Sequence, residues 1–228
     1  MAVTSPVSER LTVTGLLLLT FATGLVDAIS VLVLGHVFVA NMTGNAIFLG
    51  FLFVPHSGVD MTAAVVAFVS FLAGTVIGGR FIRHLEHDTR RWVTVSLAVE
   101  CVVLVALSVL AGAGVLRYHD NTKLILLAGL ALAFGSQNAT ARQFGIQELS
   151  TTVLTSTIVG IDVDSRLAGG TGQREKLRFA VVLTMCGGAV VGATISRFTV
   201  APVIALAAVV VAVSAAIFLF GPPPVTDD

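Results

Sequence analysis

Apolar residues along the chain fall into eight separate segments, and their lengths divide them into two classes. A helix needs about 20 predominantly apolar residues to cross the hydrocarbon core of a bilayer. Six segments reach that length and predict transmembrane helices: about Val13–Leu34, Met61–Arg80, Val93–Val115, Lys123–Arg142, Leu177–Ser196 and Ala201–Phe220.

The other two apolar segments are too short or too polar to span in the same way. Asn45–Val54 has about ten residues and follows a polar cluster, and Ile146–Ile161 is interrupted by serines and threonines. Apolar stretches of this kind are more often re-entrant or interfacial than spanning. The pattern therefore predicts an all-α protein with about six transmembrane helices and two short re-entrant or broken segments.

Composition supports a membrane environment for the whole chain. Apolar residues make up 56% of the sequence and charged residues 11%, with a mean hydropathy of +0.98. A soluble domain carries about 25% charged residues to keep its surface wetted. We therefore predict one membrane domain over residues 1–228, with short polar tails at 1–10 and 221–228. The formal net charge of zero suggests no nucleic-acid partner.

The positions of the basic residues favour six spans over eight. With eight spans, the basic loops Arg80–Arg91 and Asp162–Arg178 could not both be cytoplasmic. With six spans, both loops and both termini lie inside, and the positive-inside rule is obeyed. Ten of the thirteen Lys and Arg residues are then cytoplasmic, and the other three are Arg117, Lys123 and Arg197.

A faint internal repeat accompanies this topology. Three short matches recur in the same order at separations of 111, 112 and 114 residues: Gly24-Leu25-Val26-Asp27-Ala28 with Gly135-Ser136-Gln137-Asn138-Ala139, Met42–Asn45 with Leu154–Thr157, and Gly74/Gly78 with Gly188/Gly192. The predicted units cover about 11–115 and 123–220. Three spans per unit require the second unit to be inverted, an arrangement typical of transporters. The alternative is chance similarity between helices rich in Gly and Ala.

Asp27 is the first candidate functional residue, because it lies near the middle of the first span. An ionisable group at that depth costs about 3 kcal/mol even on lenient insertion scales, so it should face the bundle and have a partner. It is predicted to belong to a solute or proton pathway, and the alternative is a buried structural pair with Asn138 or Arg142. Glu100 is the other acid well inside a span.

The cluster Asn41-Met42-Thr43-Gly44-Asn45 is the most informative stretch of the sequence. Polar backbone at membrane depth is tolerated only where protein buries it or water lines it. At the N-terminus of a short helix, it would direct free N–H groups and the positive helix end into the bundle. Thr155 and its neighbours would approach from the opposite face. The alternative is a polar turn at the outer interface followed by a helix that does span.

These residues resemble the YoaK family of bacterial multi-pass membrane proteins (domain of unknown function 1275). The resemblance rests on Gly24, Asp27 and Ala28, on 37–45, and on Gly135-x-Gln137-Asn138-Ala139 followed by Thr151-Thr152-x-x-Thr155, and it covers about 11–220. One departure is visible, since a second Thr-Gly pair would be expected where Thr155-Ser156 stands. The resemblance implies a multi-pass protein of the bacterial inner (plasma) membrane, and it implies no substrate.

Together these patterns favour a small-solute transporter or channel-like permease with a polar site at the midplane. Its partners would be the lipid bilayer and a small polar solute or ion, and self-association through the paired glycines stays open. Asp27 would bind a cation or carry a proton. The predicted binding residues are Asp27, Asn41, Thr43, Gly44, Asn45, Gln137, Asn138, Thr152 and Thr155.

Two other classes of function remain as alternatives. A non-transporting assembly partner or sensor would use the polar cluster only for helix packing. An enzyme is not expected, because the sequence has no Gly-rich phosphate loop, nucleophile elbow or His-Glu-x-x-His motif. We likewise expect no cofactor, and no metal at His84–Asp88, because a charged cytoplasmic loop accounts for those residues.

Overall fold

The computed structural model describes residues 4–54, 58–85, 88–118, 120–145, 154–164, 169–170 and 174–224. The helices in these ranges are α1 (Glu9–Ile29), α2 (Met42–Gly50), α3 (Met61–His84), α4 (Thr89–Gly112), α5 (Lys123–Arg142), α6 (Leu154–Val163), α7 (Glu175–Ser196) and α8 (Ala201–Phe220). A π-helical turn, Ser30–Leu34, continues α1, and a 3-10 turn, Phe51–Phe53, follows α2.

Six of these helices confirm the predicted membrane spans. Within the described part of the chain, α1 with its π-turn, α3, α4, α5, α7 and α8 have 20 to 26 residues and are apolar enough to cross a membrane. The short helices α2 and α6 have nine and ten residues, or about 14 and 15 Å. Neither can cross a hydrocarbon core of about 30 Å. The prediction of six spans and two short elements is confirmed.

Both ends of the described chain lie at one face of the bundle. The guanidinium of Arg90, in the first turn of α4, donates hydrogen bonds to the carbonyls of Pro6 at 2.9 Å, Leu219 at 2.7 Å and Gly221 at 2.9 Å. We call this the terminal face and the other the opposite face. Helices α1, α4 and α7 begin at the terminal face, and α3, α5 and α8 end there.

Helix α1 packs in parallel against α7 through close backbone contacts. A Cβ atom added to Gly24 would collide with the carbonyl oxygen of Met185, and one added to Gly188 would collide with that of Phe21. Small residues allow such approach in membranes, where van der Waals packing drives helix association. These two glycines therefore set the distance between α1 and α7.

Helix α3 packs in parallel against α5 in the same manner. A Cβ atom added to Gly74 would collide with the carbonyl oxygen of Leu132, and one added to Gly135 would collide with that of Phe71. Adding 111 to the α1 residue numbers and subtracting 114 from the α7 residue numbers converts the α1–α7 contacts into the α5–α3 contacts. The two helix pairs thus use equivalent residues.

Helices α4 and α8 run antiparallel on the outside of these pairs. The hydroxyl of Ser108 donates to the carbonyl of Ala201 at 2.8 Å, and the thiol of Cys101 to that of Ala208 at 3.6 Å. Helix α8 also packs on α1, where Ser214 donates to the carbonyl of Gly15 at 3.1 Å. Helix α4 contacts α5 through Leu107, which lies against Gly129.

Candidate functional site

A re-entrant hairpin follows α1 and contains the polar cluster singled out in the sequence. After the π-turn, residues 35–41 run back beside α1, and α2 then returns toward the start of α3 at the opposite face. The reversal is fixed by Ser30, whose hydroxyl donates to the carbonyl of Val37 at 2.6 Å, while its carbonyl accepts from the N–H of Gly35 at 3.2 Å. We call residues 35–53 the hairpin.

Asp27 holds the deepest point of the hairpin against α1. One carboxylate oxygen accepts the backbone N–H groups of Val39 at 2.9 Å and Ala40 at 3.0 Å, and the other accepts the side-chain amide of Asn41. The side chain is only 6% exposed. The buried charge predicted to need a partner therefore has three donors, all from the hairpin. Asn138 and Arg142, the partners considered from the sequence, are not among them.

Asn45 joins the two arms of the hairpin. Its amide oxygen accepts the N–H of Phe38 at 2.9 Å, and its amide nitrogen donates to the carbonyl of the same residue at 2.6 Å. Asn45 is fully buried. Its side chain pairs the backbone N–H and carbonyl of Phe38, which would otherwise need backbone partners. Gly44 lies under the ring of Phe38, where an added Cβ atom would come within 2.6 Å of ring carbons.

The hairpin decides between the two interpretations of the polar cluster. Helix α2 does not continue across the bundle, so a polar turn followed by a spanning helix is wrong. Its N-terminus lies inward as predicted, but the negative charge beside it is the carboxylate of Asp27. Asn41 is half-buried and Thr43 is exposed. The three side chains of Asp27, Asn41 and Asn45 are engaged in holding the hairpin.

The predicted residues of the second half are partly brought to the same region. The buried amide of Gln137 donates to the hydroxyl of Thr23 at 3.4 Å, where α5 crosses α1 one turn from Asp27. Asn138 donates to the carbonyl of Phe134 at 2.9 Å. Thr155 is exposed in the first turn of α6. Thr152 lies outside the described residues.

Helix α6 is held at the terminal face by Arg178 of α7. The guanidinium donates to the carbonyl of Gly160 and to the carboxylate of Asp164, both at 2.5 Å. The C-terminus of α6 therefore lies at the terminal face, whereas that of α2 lies at the opposite face. The two short helices approach the bundle from opposite sides, as the sequence predicts.

Two cavities lie at opposite ends of the equivalent helix pairs. The opposite-face cavity, of about 390 Å³, is between α1 and α7 and is lined by Leu32, Val33, Ala193, Thr194, Ser196 and Arg197. The terminal-face cavity, of about 430 Å³, is between α3 and α5 and is lined by Phe71, Thr75, Gly79, Ile82, Asn138, Ala139, Arg142 and Gln143. Each cavity contains one arginine and hydroxyl or amide groups.

A family model described as "Protein of unknown function (DUF1275)" matches residues 15–217. The chain belongs to the DUF1275 family. Among curated proteins, it is similar to the UPF0700 transmembrane protein YoaK of Bacillus subtilis (strain 168). The two are 32% identical over 185 residues, which cover 76% of this chain and 79% of the relative. No solved structure matches the chain.

These comparisons confirm the resemblance drawn from the sequence. The match to the DUF1275 family includes the whole hairpin together with Asp27, Gln137 and Asn138. The relative is a transmembrane protein by its name. With the six apolar helices, this establishes a multi-pass membrane protein.

One group of polar residues was missed by the sequence analysis of this DUF1275 protein. Ser96 on α4 and Thr140 on α5 are buried, and their hydroxyl oxygens have no hydrogen-bond partner among the described residues. They accompany Glu100 and Gln137, which the sequence did flag. The available signal was spacing, since Ser96 lies four residues before Glu100 and therefore shares its face.

Metal ligands are not grouped in the part of the DUF1275 chain that the structure describes. No cluster of three or more His, Cys, Asp or Glu residues occurs in those ranges. Of the loop residues considered in the sequence, Glu86 and His87 lie outside the described ranges.

Proposed function

We propose that the protein is a permease that moves a small polar solute across the bacterial inner membrane, with both termini cytoplasmic. The distribution of Lys and Arg supports this orientation, because the terminal face carries the basic α3–α4 loop. The two structural units proposed for transport are those predicted at about 11–115 and 123–220.

The observation that carries the proposal is the equivalence of the two helix pairs. Gly24 and Gly188 join α1 to α7, and Gly135 and Gly74 join α5 to α3, through the same positions of the two units. Interlocked inverted units with short helices entering from both sides are an arrangement through which transporters alternate their access. A fold built only for anchoring has no need of this symmetry.

The two cavities supply the alternating openings in this proposal. Gly79 of the terminal-face cavity and Ala193 of the opposite-face cavity are 114 residues apart, so they are equivalent positions of the two units. Rocking one helix pair against the other would close one cavity while opening its counterpart. The arginines Arg142 and Arg197 favour a solute with negative charge or several hydrogen-bond acceptors.

Asp27 has a positioning role in this proposal. Its carboxylate is occupied by three donors of the hairpin, so solute would meet the hairpin that Asp27 holds and not the charge itself. Direct binding by the nine predicted residues stays a prediction. Asn138 is the best placed of them, because it lines the terminal-face cavity.

Accessibility of matched cysteines tests the alternating openings. In a background with Cys101 and Cys186 replaced by alanine, Gly79→Cys should react with a membrane-impermeant thiol reagent from the terminal face. Ala193→Cys should react from the opposite face. The controls are Val76→Cys and Val190→Cys, equivalent exposed positions on the lipid side of the same helices, which should be protected. Reaction of both test cysteines from one face would overturn the proposal.

Solute flux tests transport itself. Proteoliposomes containing the purified protein should take up at least one member of a panel of small anionic and polar solutes. Arg142→Gln and Arg197→Gln should each reduce that uptake. Failure of every solute, combined with protection of both cavity cysteines, would favour the other function below.

A non-transporting membrane protein, such as an assembly partner or sensor, is supported by one observation. The carboxylate of Asp27, the amide nitrogen of Asn41 and the amide of Asn45 are engaged in hydrogen bonds that hold the hairpin. In that case the cluster serves only to build the fold. The cysteine experiment separates the two functions, because this one predicts no water-filled opening on either side.

A further inference from the structure

Glu100 lies at the centre of α4, where its carboxyl group has no hydrogen-bond partner among the described residues. It is eleven residues from Thr89 and twelve from Gly112, which places it about 17 Å from either end of the helix. The residue is 2% exposed, and neither carboxyl oxygen has a hydrogen-bond partner among the described residues. A carboxylate in this position requires compensation, because isolated charge is expensive at membrane depth.

The packing of α4 on α5 shows which residues share this level of the bundle. Leu107 of α4 lies against Gly129 of α5, and the two helices run in opposite directions. Seven residues make two turns, so Glu100 projects from the same face as Leu107. Seven residues beyond Gly129, α5 reaches Ser136, and Gln137 follows directly. Four residues further along both helices, Ser96 and Thr140 lie at one level.

Ser96, Gln137 and Thr140 each carry a side-chain oxygen without a hydrogen-bond partner among the described residues. The Oγ of Ser96, the Oε1 of Gln137 and the Oγ1 of Thr140 are buried and make no hydrogen bond with any described residue. Their hydroxyls do not donate to the Glu100 carboxylate, so these oxygens do not satisfy one another. Unsatisfied buried polar atoms are rare in folded proteins and need an explanation. Here five of them, including the two of Glu100, lie on the adjacent helices α4 and α5 at neighbouring levels.

No protein cation faces Glu100 from any helix packed on α4. Helix α8 has no titratable residue, and those of α5 are Lys123 and Arg142 at its two ends. On α3 the basic residues closest to the terminal face are Arg80, Arg83 and His84. Within α4 itself, Cys101 is adjacent in sequence, and Arg90 and Arg91 lie about 14–15 Å away along the axis.

We propose that the α4–α5 interface binds one monovalent cation, a sodium ion or a proton, with Glu100 supplying the negative charge. Hard cations of this kind prefer carboxylate, carbonyl and hydroxyl oxygens. Gln137 provides the carbonyl oxygen, and Ser96 and Thr140 provide the hydroxyls. A sodium ion would engage all of these groups, whereas a proton would reside on Glu100 and leave the hydroxyls less important.

This cation site does not depend on the proposed transport. Binding is measured at equilibrium on purified protein, while transport is measured as flux, so either proposal can fail without the other. The residues are also separate from the two cavities, since Glu100, Ser96 and Thr140 line neither of them. In a transporting protein, the same site would supply a coupling ion.

The single tryptophan of the chain gives a local probe for the test. Trp92 is buried on α4, four residues before Ser96 and eight before Glu100. Its fluorescence and the melting temperature of the detergent-solubilised whole chain would be followed in two titrations. Sodium chloride would replace choline chloride at constant ionic strength and pH, and pH would be varied in choline chloride alone.

A saturable response to sodium or to pH is expected in the wild type and should be absent in Glu100→Gln. The control Glu9→Gln changes an exposed acid at the start of α1 and should respond as the wild type does. A sodium response that weakens about tenfold in midpoint, or about 1.4 kcal/mol, in Ser96→Ala/Thr140→Val identifies sodium. A pH response without a sodium response, unchanged in that double variant, identifies the proton.

Two results would overturn the cation site. One is a wild-type protein that responds to neither titration, and the other is a response that persists in Glu100→Gln. If Glu100→Gln does not fold, Glu100→Asp replaces it, because this variant keeps the charge and withdraws the oxygens by one methylene. An unchanged midpoint in Glu100→Asp would then contradict the proposal, and a shifted one would support it.

Discussion

The carboxylate of Asp27 accepts a hydrogen bond from the side-chain amide of Asn41, fourteen residues later in the chain. The bond lies at the innermost point of the hairpin, where Asp27 is buried and Asn41 is half-buried. The pair therefore joins a spanning helix to a segment that enters the membrane without crossing it. Removal of this hydrogen bond should therefore lower the stability of the protein.

Exchanging the two side chains tests this relationship. Asp27→Asn should lower the free energy of unfolding by about 1–3 kcal/mol, because its amide nitrogen would face the amide of Asn41, donor against donor. The double variant Asp27→Asn/Asn41→Asp restores a donor and an acceptor and should recover much of the loss. Thermal unfolding of Asp27→Asn, Asn41→Asp and the double variant measures the coupling. Additive losses would show that the two side chains do not interact.

Gly44 should be far less tolerant of a methyl group than Gly50, although both lie on α2. A Cβ atom at Gly44 would meet the ring of Phe38 at 2.6 Å, whereas Gly50 has open space around that position. We expect Gly44→Ala to destabilise the protein by about 1–3 kcal/mol through overpacking. Gly50→Ala should be neutral or slightly stabilising because alanine favours helices. Equal melting temperatures for the two variants would contradict the packing of the hairpin.

Adjacent glycines on α7 provide a second matched pair. Gly188→Ala should separate α1 from α7, since its Cβ would collide with the carbonyl oxygen of Phe21, while Gly187→Ala meets only a ring carbon at 3.9 Å. On α3, Gly74→Ala should behave as Gly188→Ala does. Melting temperatures and, where flux is established, its rate should fall in both. A loss confined to one helix pair would argue against the equivalence of the units.

Asp60 and Lys123 form an ion pair at the opposite face, with 2.8 Å between Oδ2 and Nζ. This pair should make the stability of the protein depend on pH. Burial raises the pKa of Asp60, but the hydrogen bond and charge of Lys123 together with the backbone N–H groups of Ala63 and Thr62 lower it by more, so it lies below the usual 3.8. A lowered carboxyl pKa contributes stability above the unfolded-state pKa, and this contribution is lost as pH falls through the folded-state value.

Asp60→Asn isolates that contribution, because asparagine can still cap α3 in place of the aspartate. The variant should lose about 1 kcal/mol or less at pH 7, and its difference from the wild type should disappear as pH falls through the lowered pKa of Asp60. Lys123→Gln should show a similar loss, without a further loss in the double variant. Melting curves at several pH values would reveal a constant difference if the pair had no electrostatic role.

The spans were predictable because length and hydropathy alone decide which segments can cross a bilayer. The helix ends were less so: α1 begins at Glu9 and α3 continues to His84, beyond the apolar runs. Helices continue into the headgroup layer, where water and polar lipid groups tolerate charge. Hydropathy marks the hydrocarbon core and not the helix, so the predicted bounds were too narrow at these ends.

The role of the polar cluster could not be predicted from its residue types. Asp27 and Asn45 satisfy backbone groups of residues 38–40, and these groups are invisible in a sequence because every residue carries them. Side chains needed to pair buried backbone therefore resemble side chains that bind a ligand. Ser96 and Thr140 were not predicted as functional residues, because a single hydroxyl in a helix commonly donates to a backbone carbonyl of the same helix.

The hydrogen bonds of Arg90 hold the start of α1 close to the end of α8. The two halves of the chain could therefore be connected in the reverse order. The backbone N–H of Ser8 donates to the carbonyl of Pro222 at 3.3 Å, so a short linker could join the two ends. The chain could then be cut between α4 and α5. Such a circular permutant would begin with α5 and keep every helix contact. Its new ends would emerge on the other side of the membrane, so the permuted gene would demand a different route of insertion for the same folded bundle.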